Sequence, residues 1–259
     1  MRDGARGWAM TVWEALILAG VGLVAGAASS MAGGASLLTF PVLLGLGLPP
    51  LAANVTNTTG LVPIAIGAAL ASRRELEGQV SSLAALATPM LTGALAGAAA
   101  LLLAPPGVFA ALVPFLIACS SLLLLAQPWI VARAGHRLLA GSRPGSFAAA
   151  LCVGAYAGYF GAAAAVLFMA LIGLFSTAAI HRLNAMKNVL IGGANAVAAA
   201  LFACFAPVQW PAAGVLALGG LAGGAAGVRL ARRLPPRGLR NGIAVIGLAI
   251  AAWLAVTGA

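Results

Sequence analysis

The chain has 259 residues, of which 63% are hydrophobic and 7% charged, and its 14 Lys and Arg outweigh 4 Asp and Glu to give a formal net charge of +10. A mean hydropathy of +1.08, with apolar stretches repeatedly reaching the roughly 20 residues that cross a bilayer, excludes a soluble domain. The basic balance does not point to nucleic acid either, because the arginines fall in short loops between apolar spans, where positive charge sets topology.

In chain order, Met1 to Met10 followed by Leu16 to Ala28 mimic a signal peptide. Glu14 interrupts the apolar centre, and the stretch has a counterpart later in the chain, so it is read as part of the mature protein. Full-length spans are expected at about 50–71, 80–104, 107–126, 182–204, 210–230 and 240–257. Loops at Arg73, at Arg133 to Arg143, at His181-Arg182 and at Arg232 to Arg240 are expected on the cytoplasmic side. The amino terminus then faces outside despite Arg2 and Arg6, a small bias with Asp3 and Glu14 nearby.

Regions 13–47 and 148–175 remain. The second holds 28 residues and leaves and returns to one side, whereas two complete spans need about 40. Each region is therefore read as a broken or re-entrant helical hairpin, tipped by Met31-Ala-Gly33-Gly34-Ala-Ser36 and by Tyr159-Phe-Gly161-Ala, with Pro41 and Pro63 as further breaks. The alternative is two ordinary short helices joined by a glycine turn.

The two halves match. Asn54 and Asn184, Gln79 and Gln209, and Pro105-Pro106 and Pro235-Pro236 are each 130 positions apart, and Gly22-x-x-x-Gly26 pairs with Gly154-x-x-x-Gly158 at 132. Equivalent loops carry opposite arginine bias: Arg73-Arg74 against the bare Phe202 to Pro207, and Arg229 to Arg240 against the bare Pro105-Pro106. Opposite bias implies inverted topology. The expected fold is an all-α polytopic membrane protein of two inverted repeats, each with about three full transmembrane helices plus a broken hairpin, about eight hydrophobic segments in all. The repeats run 1–129 and 147–259, joined by a basic cytoplasmic linker at 130–146.

Lys187 is the sole lysine and stands in the run Asn184-Ala-Met-Lys-Asn188-Val-Leu-Ile. An ammonium in hydrocarbon costs roughly 2.5 kcal/mol or more, which makes it a candidate functional group; the alternative is a lysine snorkelling from near a helix end. The repeat places Asn57 against Lys187 and Thr58 against Asn188, and in an inverted pair such positions tend to face one another. Substrate ligands are therefore expected from Lys187, Asn188, Asn184, Asn57, Thr58 and Asn54, with backbone N–H groups and small side chains from Gly33, Gly34, Ser36 and Gly161 at the hairpin tips. For Asn54 and Asn184, helix–helix hydrogen bonding is an equal alternative. Asn195, Gln79 and Gln209 are assigned to packing or interfacial hydrogen bonds, and Gly93-x-x-x-Gly97 and the Gly219 to Gly227 series to close helix contacts.

All four acidic residues, Asp3, Glu14, Glu75 and Glu77, precede residue 78. An intramembrane cation site or carboxylate relay is disfavoured, and a small anionic substrate is favoured. Cys119, Cys152 and Cys204 are isolated in apolar segments, so no disulfide framework, metal site or cofactor is expected. His136 and His181 fall in loops and no carboxylate is placed to orient a base, which argues against an enzyme.

Several stretches resemble the sulfite exporter TauE/SafE family of bacterial membrane permeases. In the first half these are Gly22-Leu-Val-Ala-Gly26, Ala32-Gly-Gly-Ala-Ser-Leu-Leu-Thr-Phe-Pro41 and Leu46-Gly-Leu-Pro-Pro50-Leu-Ala-Ala-Asn54. In the second they are Gly154-Ala-Tyr-Ala-Gly-Tyr-Phe-Gly161, Arg182-Leu-Asn-Ala-Met-Lys-Asn188 and Gly223-Gly-Ala-Ala-Gly-Val-Arg229-Leu-Ala-Arg-Arg-Leu-Pro235. The resemblance implies transport of a small anion such as sulfite, sulfoacetate or another sulfonate or organic acid across a bacterial plasma membrane, with export the expected direction. The chain departs from the family at Ala162 to Ala165, where more glycines are usual. Expected partners are the substrate anion and the lipid bilayer, no nucleic acid is expected, and a homo-oligomer is compatible with this picture. The alternative functions are an accessory membrane subunit and, further off, an intramembrane enzyme.

Overall fold

The computed structural model describes residues 10–31, 33–105, 107–134, 143–176, 178–231 and 237–257. Within them the chain forms ten α-helices: α1 (Val12–Met31), α2 (Ala35–Gly45), α3 (Pro50–Ala71), α4 (Val80–Leu103), α5 (Val108–Ala134), α6 (Arg143–Tyr159), α7 (Ala164–Phe175), α8 (Ile180–Phe205), α9 (Trp210–Ala231) and α10 (Arg237–Thr257). A single 3-10 turn, Arg73–Leu76, links α3 to α4. His136, Pro106, Pro235-Pro236 and the charges at Arg2, Asp3 and Arg6 lie outside the described residues. Helices α5 and α6 extend into both ends of the expected 130–146 linker.

The six expected spans are all helical, at α3, α4, α5, α8, α9 and α10. Windows long and apolar enough to cross a membrane lie in α1, α4, α5 and α8. Helix α3 falls short because Asn54 to Thr59 dilute its amino-terminal half. Helix α1 differs from the expectation of two short arms: its 20 residues measure about 30 Å, the full hydrocarbon thickness. The second arms are short, 11 residues in α2 and 12 in α7, or about 17 Å each.

Both breaks close alike. The Gly33 N–H donates to the Ala28 carbonyl and the Gly161 N–H to the Tyr156 carbonyl, each at 3.0 Å, with φ of +81° and +75°. A glycine in the left-handed region is the usual way to end a helix. Pro41 and Pro63 make no further breaks, since both sit inside continuous helices. Interior prolines are tolerated in membrane helices whose neighbours take up the freed carbonyls. In the alanine stretch, Ala163 adopts φ +57°, a conformation that costs an alanine about 1–2 kcal/mol. The N–H groups of Val166 and Leu167 donate to its carbonyl at 2.8 and 3.1 Å. We expect Gly161→Ala to lower the thermal stability of the purified protein by a similar 1–2 kcal/mol, because the new methyl would also meet the Ala157 carbonyl oxygen at 3.0 Å.

Helix α1 packs along α9 and α4 along α6; α3 crosses α8 and α9, α8 crosses α4, and α5 lies on α10. Glycine makes the tightest crossings possible. Methyl groups built on Gly22 and Gly26 of α1, and on Gly219 and Gly223 of α9, would run into the facing helix backbone. The same holds for Gly93 and Gly97 of α4 against Gly154 and Gly158 of α6. Small residues thus carry the association, as in other membrane helix pairs. Many large apolar side chains face outward, among them Leu16, Leu70, Phe115, Leu218 and Val256, while others such as Phe40, Phe160, Phe168 and Phe202 fill the interior. Trp13, Trp129, Trp210 and Trp253 are exposed near helix ends, as interfacial anchors are.

Candidate functional site

A cavity of about 40 Å³ lies where the two breaks meet. A water molecule needs about 10–15 Å³ on this measure, so the space suits a few waters or one compact anion. Ser29, Gly33, Ala35 and Ser36 from the α1–α2 break line it, with Gly161 and Ala165 from the α6–α7 break. Leu61, Ile64 and Ala65 of α3 and Lys187, Asn188, Ile191 and Asn195 of α8 complete the wall. The tips touch across it: a methyl on Gly33 would fall 2.6 Å from the Ala165 Cβ and 4.0 Å from Lys187 Nζ.

Lys187 does not snorkel. It is 4% exposed, and its Nζ donates to Asn184 Oδ1 at 2.8 Å and to the Ser29 carbonyl at 3.5 Å. Both acceptors are uncharged, and among the described residues no carboxylate stands within ion-pair distance. Ser36, Asn188 and Asn195 are each less than a tenth exposed, and add a hydroxyl and two amides to the wall. Helix α2 starts at Ala35 and α7 at Ala164, so two amino-terminal ends flank the cavity, the ends where backbone N–H groups favour negative charge.

Of the ten expected ligands the cavity brings together Lys187, Asn188, Gly33, Ser36 and Gly161. Asn184 stands behind Lys187 and holds its amine. Asn57 does not face Lys187: its Oδ1 is taken by the Thr39 hydroxyl in a short hydrogen bond that ties α3 to α2. Asn54 caps the end of α6, its Nδ2 donating to the Tyr159 carbonyl at 3.0 Å. Thr58 is buried away from the cavity, and Gly34 packs toward Leu124 and Ile243. For Asn57, Asn54 and Gly34 a neighbouring element takes up the side of the residue that the sequence match alone placed toward the cavity. Asn195, assigned to packing, lines the cavity instead; its signal was the spacing of Lys187, Ile191 and Asn195 at i, i+4 and i+8, one helical face.

Polar groups behind the second break hold it in place. Tyr156 donates to the Ala162 carbonyl at 2.7 Å, and Ser120 of α5 does so at 3.1 Å. Phe160 packs edge-on against Phe40 with ring centroids 5.3 Å apart. Since Asn54 works at the same place, we expect Asn54→Leu to lower thermal stability by about 0.6–1.7 kcal/mol, the range for an intramembrane hydrogen bond. Its apparent substrate affinity should stay within about twofold, read from the concentration dependence of flux.

The helical arrangement, with many large apolar side chains facing outward and a small polar cavity inside, is that of a multi-pass membrane protein. The model of the sulfite exporter TauE/SafE family matches residues 18–254, and the chain belongs to that family. Over 241 residues it is 30% identical to the Probable membrane transporter protein YfcA of Escherichia coli strain K12, an alignment covering 90% of this chain and 87% of that protein. It is 27% identical over 232 residues to the Probable membrane transporter protein ORF9 of Sinorhizobium sp, covering 88% and 87%. No solved structure matches the chain.

Proposed function

We propose that this protein is a secondary transporter that exports a small anion, such as sulfite, sulfoacetate or another sulfonate or organic acid, across a bacterial inner membrane. The observation that carries the proposal is Lys187, a buried amine lining a small cavity with no carboxylate beside it among the described residues. A bound anion would supply the missing counter-charge. Asn188, Asn195 and Ser36 would donate hydrogen bonds to its oxygens, Gly33 and Gly161 would let it approach backbone, and Asn184 would orient the amine. The small volume favours a compact oxyanion in this state; a longer sulfonate requires the cavity to open.

Two inverted repeats, 1–129 and 147–259, supply a means of opening. Exchanging the halves turns the α1–α9 packing into the α6–α4 packing and the α3–α9 crossing into the α8–α4 crossing, which supports the duplication read from sequence. Rocking one repeat against the other about a central site would expose it to each side in turn. The test is flux of labelled sulfite, sulfoacetate and methanesulfonate in proteoliposomes holding the purified protein. Saturable flux above that of empty liposomes is expected for at least one anion, and none for any of them would overturn the proposal.

A further inference from the structure

We propose that Lys187 carries a proton with each anion, so that the loaded site crosses the membrane as an ammonium–anion pair and the empty site as a neutral amine. The inference rests on the anion-transport reading above and assigns the coupling ion, which that reading leaves open.

It stands on what surrounds Lys187. Its amine is buried, and the groups it touches, Asn184 Oδ1 and the Ser29 carbonyl, bear no charge. Helices α2, α3, α4 and α7 contain no titratable side chain. On α1, Glu14 is bonded to Thr11 in the first turn, fifteen residues from Ser29 and so about 22 Å along the helix. On α6, Tyr156 is occupied with Ser120 and the Ala162 carbonyl, Tyr159 packs on Phe109, Cys152 is exposed and Arg143 opens the helix. His181, Arg182 and Cys204 lie exposed toward the two ends of α8. The 3-10 turn against α8 holds the exposed Arg73 and Arg74 and the half-buried Glu75. Among the described residues, then, the cavity has one group that can gain or lose a proton.

Without a counter-ion an ammonium buried there is uncompensated and costly, whereas a neutral amine can keep both hydrogen bonds. An anion entering the cavity reverses that preference, so anion binding and proton binding favour each other, and the linkage is reciprocal. The amine takes a proton from the solution that delivers the anion and returns it to the solution that receives the anion. Both carrier forms are neutral for a monoanion. An inward proton gradient then favours uptake, and export requires the outward anion gradient to exceed it. Arginine could not serve, since its guanidinium does not release a proton in proteins.

The test is proteoliposome flux of methanesulfonate, sulfoacetate and sulfite with a pH dye inside the vesicles. Methanesulfonate does not itself titrate near neutral pH, so any proton that moves with it is moved by the protein. For wild type, one proton per methanesulfonate is expected, with flux indifferent to a potassium–valinomycin potential. The apparent affinity should rise by up to about tenfold for each unit of acidification while the empty site is deprotonated. Lys187→Arg, which keeps its charge, should move no protons and should show flux that follows the potential. Wild-type flux that carries no protons and follows the potential would overturn the coupling and leave the transport reading standing. Absence of flux for every probe would take both down. Should the arginine variant not fold, the wild-type stoichiometry decides alone.

Discussion

Lys187→Met is expected to reduce anion flux at least about a hundredfold, since losing one partner of a buried charge pair costs about 3–5 kcal/mol. The variant should nevertheless fold. Methionine has similar length and is apolar, so the variant no longer carries the cost of burying an amine that has no counter-ion in the empty site. Its thermal midpoint should therefore match or exceed that of wild type in the same detergent. Flux lost together with the fold would instead make Lys187 a structural residue. The two measurements belong together, because Asn184 Oδ1 and the Ser29 carbonyl both lose a donor in this variant.

Gly223→Leu should do the opposite, destroying the fold without touching the cavity. Even a methyl at Gly223 would overlap the Leu23 carbonyl oxygen across the α1–α9 crossing. Relief requires two backbones to move apart along the most extensive helix contact among the described residues. Overpacking of this kind costs about 3 kcal/mol or more where the obstacle is backbone. Gly214→Leu on the same helix is the control, because nothing lies within 4 Å of a Cβ there. Size-exclusion profiles in detergent should show Gly223→Leu aggregated or absent and Gly214→Leu indistinguishable from wild type. A monodisperse, stable Gly223→Leu would mean that α1 and α9 do not approach as closely as described.

The parts of this molecule that were legible in its sequence are those set by local physics. Apolar runs placed six helices, five of them to within about three residues, while α5 continues past its expected end at 126 to Ala134; the glycines at 33 and 161 marked both helix breaks because a left-handed turn there favours a residue without a side chain. Lys187 stood out because a lone lysine in hydrocarbon is costly. What the sequence hid is partnership between distant residues. Asn57 lies at the 130-residue spacing from Lys187 that the sequence match uses, yet the Thr39 hydroxyl engages it, and no spacing rule announces a contact across 18 residues and a helix break. Pro41 and Pro63 looked like breaks because a proline removes one helix hydrogen bond, but that loss does not end a helix packed among others. Asn195 was visible in principle, two turns beyond Lys187, and was passed over because a single amide between alanines also reads as helix glue.

On the proposed reading, the cavity at the meeting of the two breaks binds an anion through Lys187. Equilibrium binding of labelled sulfite to the purified protein tests it most directly, because binding isolates the site from the transport cycle. Saturable binding of one sulfite per chain in wild type, lost in Lys187→Met that retains its thermal midpoint, is the predicted result. Equal binding by the two proteins would mean that Lys187 does not hold the anion.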